Sequence, residues 1–227
     1  MIKAVVFDVF QTLVRRTAGS PHHLHELANY LGVGEQELAS ACYSVEGEFC
    51  SGGIHEEDRY HRVLDAVGLP LNPSAVGRMI FLEAQGYRQS HFFYEGVPEL
   101  LESLRAHFKV GVCSNANPVQ TAYLHAIGLM QRVDATAFSC YVGCLKPNPL
   151  IYESIQRKLD VKPWETLFVG DGTDDELYGA ARAGMQTCKV LHLEGFAGQN
   201  PCLRAAKQIE RVSQLHDLLG NFRRCYP

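Results

Sequence analysis

Ile2-Lys3-Ala4-Val5-Val6-Phe7-Asp8-Val9-Phe10-Gln11-Thr12 opens the chain as an almost unbroken apolar run that ends on a carboxylate. A short apolar run bounded by polar residues predicts a buried strand over Ile2 to Phe7, and a carboxylate at its mouth is costly to desolvate unless it has a task. The carboxyl edge of an open α/β sheet is where such folds place their chemistry, so Asp8 is the candidate nucleophile. Taken alone, the same Asp also reads as the cap of a following turn or helix.

Three later segments bear on that choice: Val110-Gly111-Val112-Cys113-Ser114-Asn115, Lys146-Pro147, and Leu167-Phe168-Val169-Gly170-Asp171-Gly172-Thr173-Asp174-Asp175-Glu176. Two place polar groups just after a short apolar strand, and one places a lone Lys in a loop. With Asp8 they supply, in chain order, a nucleophile, a hydroxyl donor, a cation and an acidic cluster. In this order and spacing the chain resembles the haloacid dehalogenase (HAD) superfamily of hydrolases along its whole length.

The rest of the chain is compatible with that resemblance. After Ser20-Pro21, Leu24, Leu27, Ala28 and Leu31 recur at helical spacing, and similar patterns follow at Glu35 to Phe49, His55 to Val67 and Ser74 to Tyr87. From Gly96 onward helices alternate with strands: Val97 to His107 helical, Phe108 to Val112 strand, Pro118 to Ile127 helical, and Ala137 to Ser139 strand. Leu150 to Leu159 then reads as helix, Leu167 to Val169 as strand, Leu177 to Ala183 as helix, Gln186 to Leu191 as strand and Ile209 to Leu219 as helix. Alternation of this kind predicts a doubly wound parallel sheet, an α/β fold of Rossmann-like type. The four early helices form an insert, expected as a cap over 16–89, with the core at 1–15 and 90–227. HAD proteins with a helical cap between their first and second motifs have this arrangement.

Composition bounds the function. The 227 residues carry a formal charge of −4 and 46% hydrophobic residues, ordinary for a globular protein and without the basic field that nucleic acid or an anionic membrane would need. No apolar stretch reaches membrane-spanning length, and Met1-Ile2-Lys3-Ala4 runs directly into the first strand, so a cytoplasmic protein without a signal peptide is expected. The 8 cysteines are scattered without zinc-like spacing and read as reduced, mostly buried thiols, Cys140 and Cys144 included. His22, His23, His25, His55 and His61 are read as solvated helix positions rather than a metal or anion site, and Arg59, Arg62 and Arg88 likewise as helix surface. A homodimer is left open.

Each motif has its chemistry. Ser114 and Asn115 fit the segment that holds an oxygen of the transferred group, and they read equally well in isolation as a strand-to-helix cap. Lys146 would keep Asp8 ionised. Thr12 and Asn115 are the candidate substrate-binding residues, and Tyr152 is assigned to core packing. Asp171, Asp174, Asp175 and Glu176 crowd four carboxylates into six positions, which is unfavourable without a cation. Oxygen ligands on a loop favour Mg²⁺. The resemblance implies Asp8, the Phe10 carbonyl and Asp171 as direct ligands, with Asp175 acting directly or through water. Glu176 competes with Asp175, because the following helix is in phase with the family pattern from Glu176, and Asp174 reads as a helix-start or solvated residue.

In phosphatases of this superfamily a second Asp, two positions after the nucleophile, protonates the leaving oxygen, whereas here that position is Phe10. A phenyl ring donates no proton. Dehalogenases of the superfamily have an aromatic residue there, bind no metal, carry Ser and Asn in the region of Gly170-Asp171, and hold the substrate carboxylate with a cap Arg. No Arg or Lys lies between Arg16 and Arg59, so that clamp is missing from the expected stretch, with Arg15, Arg16 or a cap His left as substitutes. Three readings result: a Mg²⁺-dependent phosphatase of a small phosphorylated metabolite working through an aspartyl-phosphate, a metal-free 2-haloacid dehalogenase, and a weakly active protein that binds a phosphorylated ligand or a protein partner.

Overall fold

The computed structural model describes residues 1–17, 23–191, 207–215 and 219. Strand β1 (Ala4–Phe7) leads to β2 (Val14–Arg16), four helices follow, and β3 (His91–Phe93) returns the chain to the core. The helices are α1 (His23–Leu31), α2 (Glu35–Cys50), α3 (Glu56–Ala66) and α4 (Pro73–Ser90). Then come α5 (Val97–Arg105), β4 (Lys109–Ser114), α6 (Pro118–Ala126), β5 (Ala135–Phe138), α7 (Ser139–Val142), α8 (Pro149–Leu159), β6 (Thr166–Gly170), α9 (Glu176–Arg182), β7 (Gln186–Val190) and β8 (Lys207–Ile209).

Six strands form one parallel sheet in the order β5-β4-β1-β6-β7-β8, so β1 lies between β4 and β6. Phe7 is in register with Val112 on one side and Val169 on the other, which brings the residues just beyond all three strands to one edge. The strands are apolar on both faces, as a sheet covered on both sides requires. Val5, Phe7, Val112 and Val169 pack with Leu100, Leu101 and Leu124 of α5 and α6. Ala4, Val6 and Phe168 pack on the opposite face with Ile151, Tyr152, Ile155 and Leu177 of α8 and α9. Tyr152 is fully buried there, as expected.

The helices between β2 and β3 bury a core of their own, built on Leu38, Phe49, Leu64, Met79 and Leu82. Turn chemistry explains several helix starts. Asn72 accepts from the backbone of Ser74 and Ala75 with Pro73 in the first turn, and Asn117 with Gln120 forms a reciprocal cap with Pro118 in the first turn.

Some boundaries differ from the sequence reading. The insert is bracketed by a two-stranded antiparallel ribbon, β2 with β3, which pairs Val14 with Phe93 and Arg16 with His91. Strands of three residues carry too little alternation to be read. Lys207–Ile209 is an edge strand beside β7 instead of the start of a helix, while part of the stretch to Leu219 lies outside the described residues. The helix start at Ser20-Pro21 and His22 also lie outside them.

Candidate active site

The site gathers at the carboxyl edge of β1, β4 and β6. Asp8 follows β1, its backbone N–H donates to Val169 O at 2.9 Å, and its side chain is buried. Ser114, the last residue of β4, donates from Oγ to Asp8 Oδ1 at 3.0 Å. Lys146 reaches from the loop before α8 and its Nζ donates to the same Oδ1 at 2.5 Å. Asp8 Oδ2 accepts no hydrogen bond from the described residues. It is left open to a ligand.

Lys146 Nζ also donates to Glu176 Oε2 at 2.5 Å, and Glu176 Oε1 accepts the Gly172 N–H at 3.0 Å. Glu176 is fully buried, whereas Asp175 is exposed. The backbone explains the choice. Asp174 and Asp175 both take left-handed φ, 54° and 52°, a region aspartate tolerates better than most residues. These two residues turn the chain so that α9 begins with Glu176 facing inward. Asp175, the expected metal-supporting residue, is therefore not brought to Asp8, and the competing Glu176 is. Gly170 makes the space, because a Cβ there would collide with the Glu176 carboxylate.

Asp171 completes the group. Its Oδ1 accepts from Thr173 N–H at 3.2 Å and Thr173 Oγ1 at 2.9 Å, while Oδ2 accepts no hydrogen bond from the described residues. Carboxylate oxygens of Asp8, Asp171 and Glu176 lie within 4.8 Å of one another. Against three carboxylates stands one ammonium. Burial first, and then the Asp8 charge, pushes both the Asp171 and the Glu176 carboxyl up from the ordinary range. Burial opposes the Lys146 ammonium, but Asp8 and Glu176 outweigh it and hold the amine well above a free lysine. A hard oxygen donor set with uncompensated negative charge and open oxygens on Asp8 and Asp171 fits a divalent cation such as Mg²⁺.

Other expected residues have different surroundings. Asn115 Oδ1 accepts the Lys146 N–H at 2.7 Å and its Nδ2 donates to Asp174 Oδ2 at 3.0 Å, so Asn115 fastens the lysine loop to the acidic turn. Thr12 is fully buried, its N–H donating to Val9 O at 3.2 Å. The Phe10 ring is half-buried and meets His91 edge-on at 6.0 Å. Tyr152 Oη donates to the Glu176 carbonyl at 2.8 Å.

Arg59 and Arg62 of the insert are engaged elsewhere. Arg59, expected on the surface, is 5% exposed, donating from Nη1 to Glu83 Oε2 at 2.6 Å and from Nη2 to Glu46 Oε2 at 3.0 Å. Helical periodicity places Arg59 beside buried Tyr60 and Val63, but its partners lie 13 and 24 residues away and no local pattern reveals them. Arg62 pairs with Glu48 at 2.6 Å in solvent, and Arg88 is exposed. His25 and His55 are exposed, His61 is half-buried, and the side chains of His22 and His23 lie outside the described residues. The free thiols Cys140 and Cys144 join no metal-ligand group among the described residues. No helix among them is long and apolar enough to cross a membrane.

Comparison with known proteins identifies the family and the fold. The family model described as haloacid dehalogenase-like hydrolase matches residues 2–184. A glyceraldehyde 3-phosphate phosphatase of Methanopyrus kandleri is 29% identical over 205 residues, covering 84% of each chain. In fold, the chain is similar to a 2-haloacid dehalogenase of Pseudomonas syringae, with a TM-score of 0.76 at 23% identity, covering 98% of this chain and 100% of that one. It is also similar to a HAD family enzyme of Bacteroides thetaiotaomicron, solved with magnesium and inorganic phosphate, with a TM-score of 0.69 at 16% identity, covering 89% and 98%.

Proposed function

The chain belongs to the haloacid dehalogenase-like hydrolases, and on that premise we propose that it is a phosphatase of a small phosphorylated metabolite, acting in the cytoplasm with Asp8 as nucleophile. The observation that carries this reading is the cluster of Asp8, Asp171 and Glu176 around a single lysine. Such a site repels a carboxylate substrate unless a cation is bound, and with one it suits a phosphate. The relative that hydrolyses glyceraldehyde 3-phosphate suggests the size of the substrate.

In the proposed reaction the Asp8 carboxylate attacks phosphorus, the bond from phosphorus to the leaving oxygen breaks, and the aspartyl-phosphate so formed is hydrolysed by water to release phosphate and regenerate Asp8. Ser114 and Lys146 orient the nucleophile through Oδ1, and Lys146 holds its charge throughout because its pKa is raised. Asp8, Asp171 and the Phe10 carbonyl would hold Mg²⁺, supported by Glu176, and the ion would offset the repulsion between phosphate and carboxylates. Thr12 is kept as a substrate-binding residue. Asn115 acts by fixing Lys146. The division into a core of 1–15 and 90–227 and a cap of 16–89 belongs to the same reading, the cap closing the substrate side.

Phe10 supplies no proton, so leaving groups that depart as stable anions are preferred. The test is hydrolysis of p-nitrophenyl phosphate, acetyl phosphate and glyceraldehyde 3-phosphate with Mg²⁺ and with EDTA. Mg²⁺-dependent phosphate release, faster from acetyl and aryl than from alkyl phosphates, is expected. Equal rates on alkyl and acyl phosphates would remove the role given to Phe10.

Phe10 favours the second reading, a dehalogenase. Against it, no Arg or Lys lies between Arg16 and Arg59, and Arg59 is taken up by Glu46 and Glu83, which leaves Arg15, Arg16 or a cap His for the substrate carboxylate. Chloride release from 2-chloropropionate in EDTA would reverse the assignment.

A further inference from the structure

Ser114, Asn115, Ala116 and Asn117 are tied in two directions. The first two hold the core site, through Asp8 and through the Lys146 loop. The next two hold α2. The Ala116 N–H donates to Ser139 Oγ at 2.9 Å, and that hydroxyl donates to the Cys50 carbonyl at the end of α2, at 2.6 Å. Asn117 Nδ2 donates to Glu46 Oε1 at 2.9 Å, one helical turn earlier on α2. Asn117 and Ser139 are both fully buried.

Neither tie has slack. Asn117 Oδ1 accepts the Gln120 N–H at 2.9 Å as the cap of α6, so its amide is fixed at both ends. Glu46 is itself held by Arg59 Nη2 at 3.0 Å and by Cys50 Sγ at 3.2 Å. The turn after α2 lies directly on the core, where a Cβ at Gly52 would strike the Cys140 carbonyl.

We propose that Glu46 and Ser139 are positioning residues of the hydrolase site. They dock α2 onto Ala116 and Asn117, and this docking sets Ser114 and Asn115 against Asp8 and Lys146. Movement of α2 away from the core breaks both ties at once and releases a segment that begins at the proposed nucleophile's hydrogen-bond donor. The kinetic side of the proposal rests on the phosphatase reading above, while its structural side does not.

The test reverses one hydrogen bond. Asn117→Asp keeps an oxygen to cap α6 but sets a carboxylate against Glu46, and adding Glu46→Gln restores a donor and an acceptor with the direction reversed. For Mg²⁺-dependent hydrolysis of p-nitrophenyl phosphate, Asn117→Asp is expected to lower kcat by ~10–100-fold, the scale of an ångström-sized misplacement, with KM changed less than about threefold. The double variant is expected to recover to within about threefold of wild type. Amide exchange over 114–117, read by mass spectrometry without substrate, is expected to rise in the single variant and return in the double. Loss of helix capping alone would not be rescued from α2. If Asn117→Asp does not fold, Ser139→Ala removes the other tie without adding charge, and the same loss of kcat and protection is expected. Wild-type kcat and exchange in the folded variant, or no recovery in the double, overturns the proposal. If the wild-type protein releases no phosphate from any substrate, the phosphatase reading fails, and exchange over 114–117 still decides whether α2 holds the segment.

Discussion

The core holds Lys146 between Asp8 and Glu176, and the helical insert holds Arg59 between buried Glu83 and half-buried Glu46, so each region sets a buried cation between two carboxylates. Their surroundings differ. Arg59 spends its fork on both glutamates, its guanidinium lies 4.7 Å over the Phe49 ring, and Tyr60 Oη donates to Glu83 at 2.7 Å. Protein groups take up both Nη atoms of Arg59 and the Glu83 carboxylate, and the cluster borders a small cavity inside the helical insert rather than the sheet edge. Lys146 is a compact point charge at a strand edge, a third carboxylate stands beside it, and one oxygen each of Asp8 and Asp171 remains open. Burial of charge is common to both. Excess negative charge with open oxygens is what makes one of them a candidate reaction centre.

The largest expected break is Asp8→Asn, which should lower phosphate release by at least ~10³-fold, as loss of a nucleophile does, with the circular dichroism spectrum unchanged. Wild-type turnover in that variant would remove Asp8 from the mechanism. Arg59→Met tests the other cluster and should destabilise the protein by about 3 kcal/mol in urea unfolding, since buried Glu83 loses its cation while half-buried Glu46 is partly screened by solvent. A change below about 1 kcal/mol would show that water reaches Glu83 as well.

Thiols probe the two regions alike. Burial raises Cys42 to about 11, opposed by Arg59, and raises Cys113, opposed by Lys146. A thiol with a raised pKa stays protonated until the pH passes that value. At pH 8, Cys42 should be alkylated ~10²-fold more slowly than a free thiol, measured by mass spectrometry with iodoacetamide. Labelling of Cys42 as fast as a free thiol would overturn the raised pKa. Glu176→Gln should raise the Mg²⁺ concentration for half-maximal activity by about tenfold or more, the scale of a lost supporting carboxylate. The smallest effect is Asp175→Asn, expected to stay within about twofold of wild type because an exposed aspartate contributes little. A larger loss from Asp175 than from Glu176 would restore the expectation drawn from the sequence.

Where the signal is local, the sequence was legible. The sheet strands announce themselves as apolar runs, and Asp8, Ser114 and Asp171 follow from their place after those runs, while Lys146 rests on its place in the series of motifs. Asp175 and Glu176 could not be separated, because two consecutive left-handed aspartates set the phase of α9 and no residue pattern specifies them. Arg59 was misread because its partners lie on two other helices. The same limit hid Ser139, whose hydroxyl reaches Cys50 from a position 89 residues away. The ribbon of β2 and β3 escaped for another reason: three residues are too few to show a period.

Gly170 turns a buried contact into something that can be read in other chains. A side chain there and a carboxylate at the position of Glu176 compete for one volume, so the two columns of an alignment should vary together. Relatives with glycine in the first column are free to carry an acid in the second, and those with serine or anything larger must set a smaller or differently directed group against the lysine. A library randomised at both positions and sorted for turnover would return glycine paired with an acid, making a missing side chain the marker of the chemistry beside it.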